Sequence, residues 1–139
     1  MERYPIRVVL KDDSKVMIRP TEGADADDLL KFFSKMPSSD LLIYTGDLPE
    51  LEGKEDWFIS DLYSKLLILV ALRDSKIIAT GTLHKEGLYW LDAAEIKIIV
   101  DPQNRGKGIG SKLFKHLLFE LFRMRMRKVI VRYTPDNVK

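Results

Sequence analysis

Asp101-Pro102-Gln103-Asn104-Arg105-Gly106-Lys107-Gly108-Ile109-Gly110-Ser111 decides how this chain is read. It follows an apolar run, Ile96, Ile98, Ile99 and Val100, that reads as a buried strand. It opens a long helical pattern that starts near Ser111. Glycines let the backbone take positive φ and keep side chains out of the way. The first N–H groups of a helix have no intrahelical partner, and they carry the positive end of the helix dipole. A strand, a glycine-rich turn and a helix start therefore make a place where a phosphate or pyrophosphate fits.

The rest of the chain sets the bounds. A length of 139 residues suits one domain, 1–139, with a single core. Hydrophobic residues at 45% and charged residues at 32% are an ordinary globular balance. The net charge of +2 is too small to argue for nucleic acid. The absence of cysteine excludes a disulfide framework and a thiolate nucleophile, and it permits a cytoplasmic location. No long apolar run follows Met1-Glu2-Arg3-Tyr4-Pro5, so no signal peptide is expected. The run Leu66 to Leu72 is too short to span a bilayer.

Period-two alternation at Ile6, Val8 and Leu10 and at Val16 and Ile18, around Asp12-Asp13-Ser14, predicts a hairpin over 6–19. Leu29, Phe32, Phe33 and Met36 predict an amphipathic helix over Thr21 to Met36, with Asp25, Asp27 and Asp28 at its start and Pro37 stopping it. A loop over 38–53 and a second helix from about Lys54 to Ser64 follow. Strands are expected at Leu66 to Leu72, Lys76 to Leu83 and Tyr89 to Val100, the first two paired around Asp74-Ser75. The helix after the glycines puts Ile109, Leu113, Phe114, Leu117, Leu118, Leu121 and Met124 on one face. Lys112, Lys115, His116, Glu120, Arg123 and Arg127 lie mostly opposite, which predicts a solvated His116. Val129 to Val131 form a last strand. The order β-β-α-α-β-β-β-α-β predicts an α/β (α+β) domain: a mixed, mostly antiparallel sheet flanked by helices.

Arg105-Gly106-Lys107-Gly108-Ile109-Gly110 resembles the Arg/Gln-x-x-Gly-x-Gly/Ala pattern of the GNAT-type acyl-CoA N-acyltransferases. The strand ending in Val100-Asp101-Pro102 and the Leu-rich helix supply the same frame. Ile18-Arg19-Pro20 before an acidic helix start, and Tyr133-Thr134-Pro135-Asp136-Asn137 after the last strand, also resemble that family. The resemblance spans about residues 16–137 in element order. A Walker A loop fits less well, because Ser111 precedes Lys112 rather than following it. A dinucleotide fingerprint lacks its third glycine at Ser111 and an acidic second strand. A plain helix-start turn would not need three alternating glycines beside Arg105 and Lys107.

The resemblance implies acetyl-CoA or another acyl-CoA as co-substrate, with no metal. It implies that the loop 103–111, with backbone N–H groups from Arg105, Gly106, Lys107, Gly108, Ile109, Gly110 and Ser111, holds the pyrophosphate. The pantetheine arm would pair with the backbone near Ile98, Ile99 and Val100, where the strand splays from its neighbour, and Asn137 would also face the cofactor. A strand N–H would stabilise the thioester oxyanion. The acceptor amine would attack directly, after losing a proton to a carboxylate. Glu95 is the leading candidate base, and its alternative is a solvated pair with Lys97 on the same side of the strand. Asp92 and His84 are weaker candidates. Tyr89 and Trp90 would wall an acceptor pocket or simply fill core.

The family continues past the last strand seen here with a further helix, which carries an asparagine and a general-acid tyrosine, and two more strands. The chain is therefore expected to be C-terminally incomplete, with an open sheet edge that invites a homo-oligomer. The expected function is acetyl transfer from acetyl-CoA to a small-molecule or protein amine. The alternative is an acyl-CoA-binding regulatory module without turnover. Arg123, Arg125, Arg127 and Lys128 sit at a helix end, where the dipole accounts for them, with no aromatic platform for nucleic acid; neither nucleic acid nor membrane is an expected partner. Asp40, Asp47, Glu50, Glu52, Glu55 and Asp56 would attract a cationic amine or form a solvated loop.

Overall fold

The computed structural model describes residues 3–36, 67–85, 93–124 and 128–133. The strands are β1 (Ile6–Val9), β2 (Lys15–Pro20), β3 (Leu67–Arg73), β4 (Lys76–Lys85), β5 (Ala93–Val100) and β6 (Lys128–Tyr133). Helix α1 covers Ala26–Ser34, between β2 and β3, and α2 covers Ile109–Arg123, between β5 and β6. The six strands lie side by side in chain order. Every neighbouring pair from β1 to β5 is antiparallel, and β5 pairs β6 in parallel. This is the mixed, mostly antiparallel sheet that the alternation predicts. The expected loop over 38–53, the helix over 54–64, Tyr89, Trp90, Asp92 and Asn137 lie outside the described residues.

Among the described residues, each face of the sheet carries one helix. On one, Ala94, Ile96, Ile98 and Val100 of β5 meet Ile109, Leu113, Leu117 and Leu121 of α2 in the larger core. On the other, Leu29, Phe32 and Met36 pack on Val70, Ile77 and Ile99. Alternation would put Ile77 and Ala79 on one side and Ile78 on the other. A bulge between Ala71 and Leu72 in the β3–β4 pairing breaks the period, so Ile77 joins the α1 side and Ile78 the α2 side. Gly81 lies beneath α2: a Cβ there would stand 2.7 Å from the Leu117 Cδ1. The glycine lets the helix descend onto the strand.

The predicted helix over Thr21 to Met36 starts late. A 3₁₀ turn over Gly23–Asp25 precedes Ala26. Asp25 does not face the dipole as a solvated charge. Its carboxylate accepts both Arg19 Nη atoms, at 2.7 and 2.9 Å, and the Glu22 N–H at 2.7 Å. This bidentate pair ties the end of β2 to the start of α1. Arg19 holds Asp25 below its ordinary carboxylate range, against the opposing effect of burial.

Helix α2 needs the largest correction. His116 and Glu120, expected on a solvated face, are 9% and 2% exposed. The segment before β1 covers them. Arg3 Nη2 lies 2.6 Å from His116 Nδ1, and the Tyr4 hydroxyl donates to Glu120 Oε1 at 3.1 Å. The Arg3 guanidinium also stacks 3.9 Å from the Phe119 ring centroid. A polar helix flank is thus buried because another segment brings partners to it, which periodicity along the helix alone does not encode.

Candidate functional site

The turn after β5 is built by its own backbone and by three neighbouring strands. Asp101 caps a 3₁₀ turn over Pro102–Asn104, its carboxylate accepting from the Gln103 N–H at 3.1 Å. The Asp101 N–H donates to the Ile78 carbonyl of β4 at 2.9 Å. Gly106 and Gly108 take φ of +79° and +93°, the left-handed region that glycine alone enters freely. The first i→i−4 bond of α2 is Lys112 N–H to the Gly108 carbonyl, 3.2 Å. The N–H groups of Ile109, Gly110 and Ser111 therefore precede the hydrogen-bond ladder, at the positive end of the dipole. A Cβ on Gly106 would meet nothing within 4 Å, so the space outside the turn is open. The geometry fits a phosphate-bearing ligand.

The side chains of the turn are engaged with the protein itself. Arg105 Nε donates to the Val100 carbonyl at 3.0 Å, closing the turn on the end of β5. Lys107 Nζ lies 3.3 Å from Asp12 Oδ2 in the β1–β2 turn. The Ser14 hydroxyl and N–H, before Lys107 itself, hold the Asp12 carboxyl down to about 2, below the ordinary carboxylate range. These two side chains thus brace the turn from within, in keeping with a cradle made mainly of backbone.

The residues expected to face the pantetheine end β5. The parallel ladder with β6 runs from Ala93↔Lys128 to Ile98↔Tyr133, so Ile99 and Val100 extend beyond its last described pair. Their side chains are buried on opposite faces, Ile99 towards α1 and Val100 towards α2.

Glu95 and Lys97 sit in the middle of β5, on the α1 side. The expected alternative, a solvated pair, is corrected: they are a pair, with Lys97 Nζ 3.4 Å from Glu95 Oε1, but they are 5% and 4% exposed. On the adjoining β4, Thr82 stands opposite Lys97 and Thr80 opposite Ile99, and both threonines are buried. His84 pairs with Glu95 in register. A buried ion pair on one face of a strand is costly to desolvate and is a weak device for stability. Among the described residues, no group of three or more His, Asp or Glu could hold a metal ion. No described helix is long and apolar enough to cross a membrane.

The sequence showed Asp12 and Ser14 only as a hairpin turn and Asn104 only as part of the loop, and it did not point to Arg73, which links them. Arg73 Nη1 donates to Asn104 Oδ1 at 2.6 Å and Nη2 to Ser14 Oγ at 3.0 Å. No local pattern announces such contacts between distant strands. Gly81 did carry a signal, because glycine inside a strand marks a close approach.

Comparison with known proteins bears on this architecture. The model of the Acetyltransferase (GNAT) family matches residues 29–139. The GNAT domain of S. lividans PAT superposes with a TM-score of 0.76 at 22% identity, covering 94% of this chain and 79% of that one. A predicted acetyltransferase from Clostridium acetobutylicum, solved with acetyl-CoA, gives a TM-score of 0.65 at 17% identity, covering 88% of this chain and 83% of that one. A ribosomal-protein-alanine N-acetyltransferase from Brucella melitensis gives 0.65 at 23% identity, with 82% and 72% covered. These structural likenesses are of fold. No curated protein matches the chain.

Proposed function

The chain belongs to the GNAT acetyltransferase family, and from that premise we propose that it transfers an acetyl group from acetyl-CoA to an amine acceptor by direct attack, within a single domain spanning 1–139. The observation that carries this reading is the turn at Gly106 and Gly108, with the Ile109, Gly110 and Ser111 N–H groups ahead of the helix ladder. The C. acetobutylicum relative of the same fold was solved with acetyl-CoA.

In this reading the pyrophosphate rests on the backbone of Arg105 to Ser111, and the pantetheine lies along Ile98 to Val100, beyond the last described pair with β6. The thioester carbonyl is polarised by a strand N–H, which then stabilises the oxyanion. Glu95 takes a proton from the acceptor ammonium, directly or through one water. The freed nitrogen attacks the thioester carbon, the C–S bond breaks, and the second proton shed by that nitrogen, as it becomes the amide, passes to the departing CoA thiolate. Lys97, 3.4 Å from Glu95 Oε1 at rest, yields its place beside the carboxylate to the acceptor. The acceptor approaches from the α1 face, where Glu95 lies. A cytoplasmic location belongs to the same proposal and is compatible with a cysteine-free sequence.

The test is steady-state transfer from acetyl-CoA to a panel of amines: a polyamine, an aminoglycoside, an amino acid and a lysine peptide. Turnover on one class, lost in Glu95→Gln with acetyl-CoA binding retained, supports the proposal. Binding of acetyl-CoA with no turnover on any class would replace it with the non-catalytic acyl-CoA-binding reading.

A further inference from the structure

Four contacts join the β1–β2 turn and β3 to the segment from Asn104 to Gly108, and a fifth ties β3 to the β1–β2 turn, although Lys11 and Lys107 are 96 positions apart in sequence. Lys11 N–H donates to the Lys107 carbonyl at 3.2 Å. Asp12 holds the Lys107 ammonium at 3.3 Å. The stem of Lys11 passes Gly108, its Cε 3.6 Å from where a Cβ would stand. Arg73, at the end of β3, reaches both sides, with Nη1 on Asn104 Oδ1 at 2.6 Å and Nη2 on Ser14 Oγ at 3.0 Å. Asn104 is 8% exposed and immediately precedes the glycine turn. The Arg73 Nε is buried without a partner, so the guanidinium is oriented by its two Nη bonds at the expense of its third donor.

We propose that the β1–β2 turn is a brace for the phosphate-binding turn, and that Arg73 is its keystone: a positioning residue for acyl-CoA. The physical need is plain. Gly106 and Gly108 give the turn its shape but also leave it the largest choice of alternative shapes. A backbone cradle binds an anion well only if its N–H groups converge before the ligand arrives. Arg73 removes that freedom from the Asn104 side, and Lys11 with Asp12 removes it from the Lys107 side. Chain topology makes this possible, because the C-terminal ends of β1, β3 and β5 lie at one end of the sheet.

The inference rests on the reading of the turn as an acyl-CoA site, and its test separates the two. Acetyl-CoA affinity and steady-state constants are measured on the full chain for the wild type, Arg73→Met, Arg73→Lys, Asn104→Ala and the Arg73→Met/Asn104→Ala pair. Arg73→Met is expected to weaken acetyl-CoA about tenfold or more, as small misplacements remote from the reaction do. Its kcat at saturating acetyl-CoA and its acceptor KM stay within about twofold. Arg73→Lys, which can keep one of the two bonds, falls between. The double variant is no weaker than Arg73→Met alone, because both break one contact. Ser14→Ala and Asp12→Asn, on an exposed turn, carry the same sign at about two- to fivefold and serve if Arg73→Met does not fold. Wild-type binding with every variant unmoved, or a loss of kcat in place of affinity, overturns the brace alone. A folded wild type that does not bind acetyl-CoA overturns the site reading and the brace together.

Discussion

Two stretches of β5 and its continuation carry polar chemistry in opposite ways. At its end, the turn from Arg105 to Ser111 presents backbone N–H groups, while the Arg105 and Lys107 side chains are turned to internal contacts. In its middle, Glu95 and Lys97 present side chains from an otherwise regular strand, buried as an ion pair. The turn depends on which residues permit a backbone shape. The strand depends on which residues face each other across low dielectric. The two should therefore fail differently: changes in the turn should cost binding, and changes in the strand should cost turnover and stability.

The sharpest way to break that contrast is Glu95→Gln. Loss of a general base is expected to lower kcat by about 10²–10⁴-fold with acetyl-CoA affinity unchanged, read by steady-state kinetics beside calorimetry. An equal loss in both would mean that the two stretches form one functional unit. Next comes stability. Glu95→Gln removes one charge of a buried ion pair, a change expected to cost up to about 3–5 kcal/mol in denaturant unfolding. Glu95→Gln/Lys97→Met removes both charges and should recover most of that stability while staying inactive. If the double variant regains activity, Glu95 is not the base.

How much of this was legible follows the same division. Arg105-Gly106-Lys107-Gly108-Ile109-Gly110 could be read directly, because a backbone shape is written in glycines at fixed spacing. The strands could be read wherever alternation holds, as in β1, β2 and β5. They could not be read at Ile77 and Ile78, where a bulge interrupts the period. Glu95 and Lys97 were visible as sharing a face, but their burial was not, since it is set by what the fold lays over the strand. His116 and Glu120 were misplaced for a related reason: Arg3 and Tyr4, over a hundred positions away, turn a polar flank into an interior one.

Smaller effects sharpen the structural half of the contrast. Gly81→Val should cost about 1–3 kcal/mol in denaturant unfolding by forcing α2 off β4, and Gly81→Ala less, because the Leu117 methyl in its way can turn. Neither should change the ratio of kcat to acetyl-CoA affinity.

The smallest effect expected is on pH dependence at His116. Arginine can only donate, so Nδ1 accepts from Arg3 and the imidazole is neutral in that contact. Burial first, then the charges of Arg3, Lys115 and Lys112, hold its pKa below the ordinary 6.5, with Glu120 opposing. The unfolded chain therefore takes up this proton before the folded one. The stabilising contribution is complete above 6.5 and declines as pH falls below it. Thermal unfolding at pH 7.5 and 5.5 should show a steeper loss in wild type than in His116→Gln. Equal slopes would show that the site does not couple to folding.

The central claim, that the backbone of the glycine turn holds acyl-CoA, is tested most directly by titrating the chain with acetyl-CoA in a calorimeter, beside ATP and NADH and beside Gly108→Asp. At +93° the Gly108 backbone resists a side chain, and a carboxylate there opposes an anion. The account predicts binding of acetyl-CoA by the wild type, little response to ATP or NADH, and loss of binding by about a hundredfold or more in a folded Gly108→Asp, the combined effect of a displaced cradle and a like charge. Undiminished acetyl-CoA binding by that variant, or a folded wild type that prefers ATP or NADH, would contradict it.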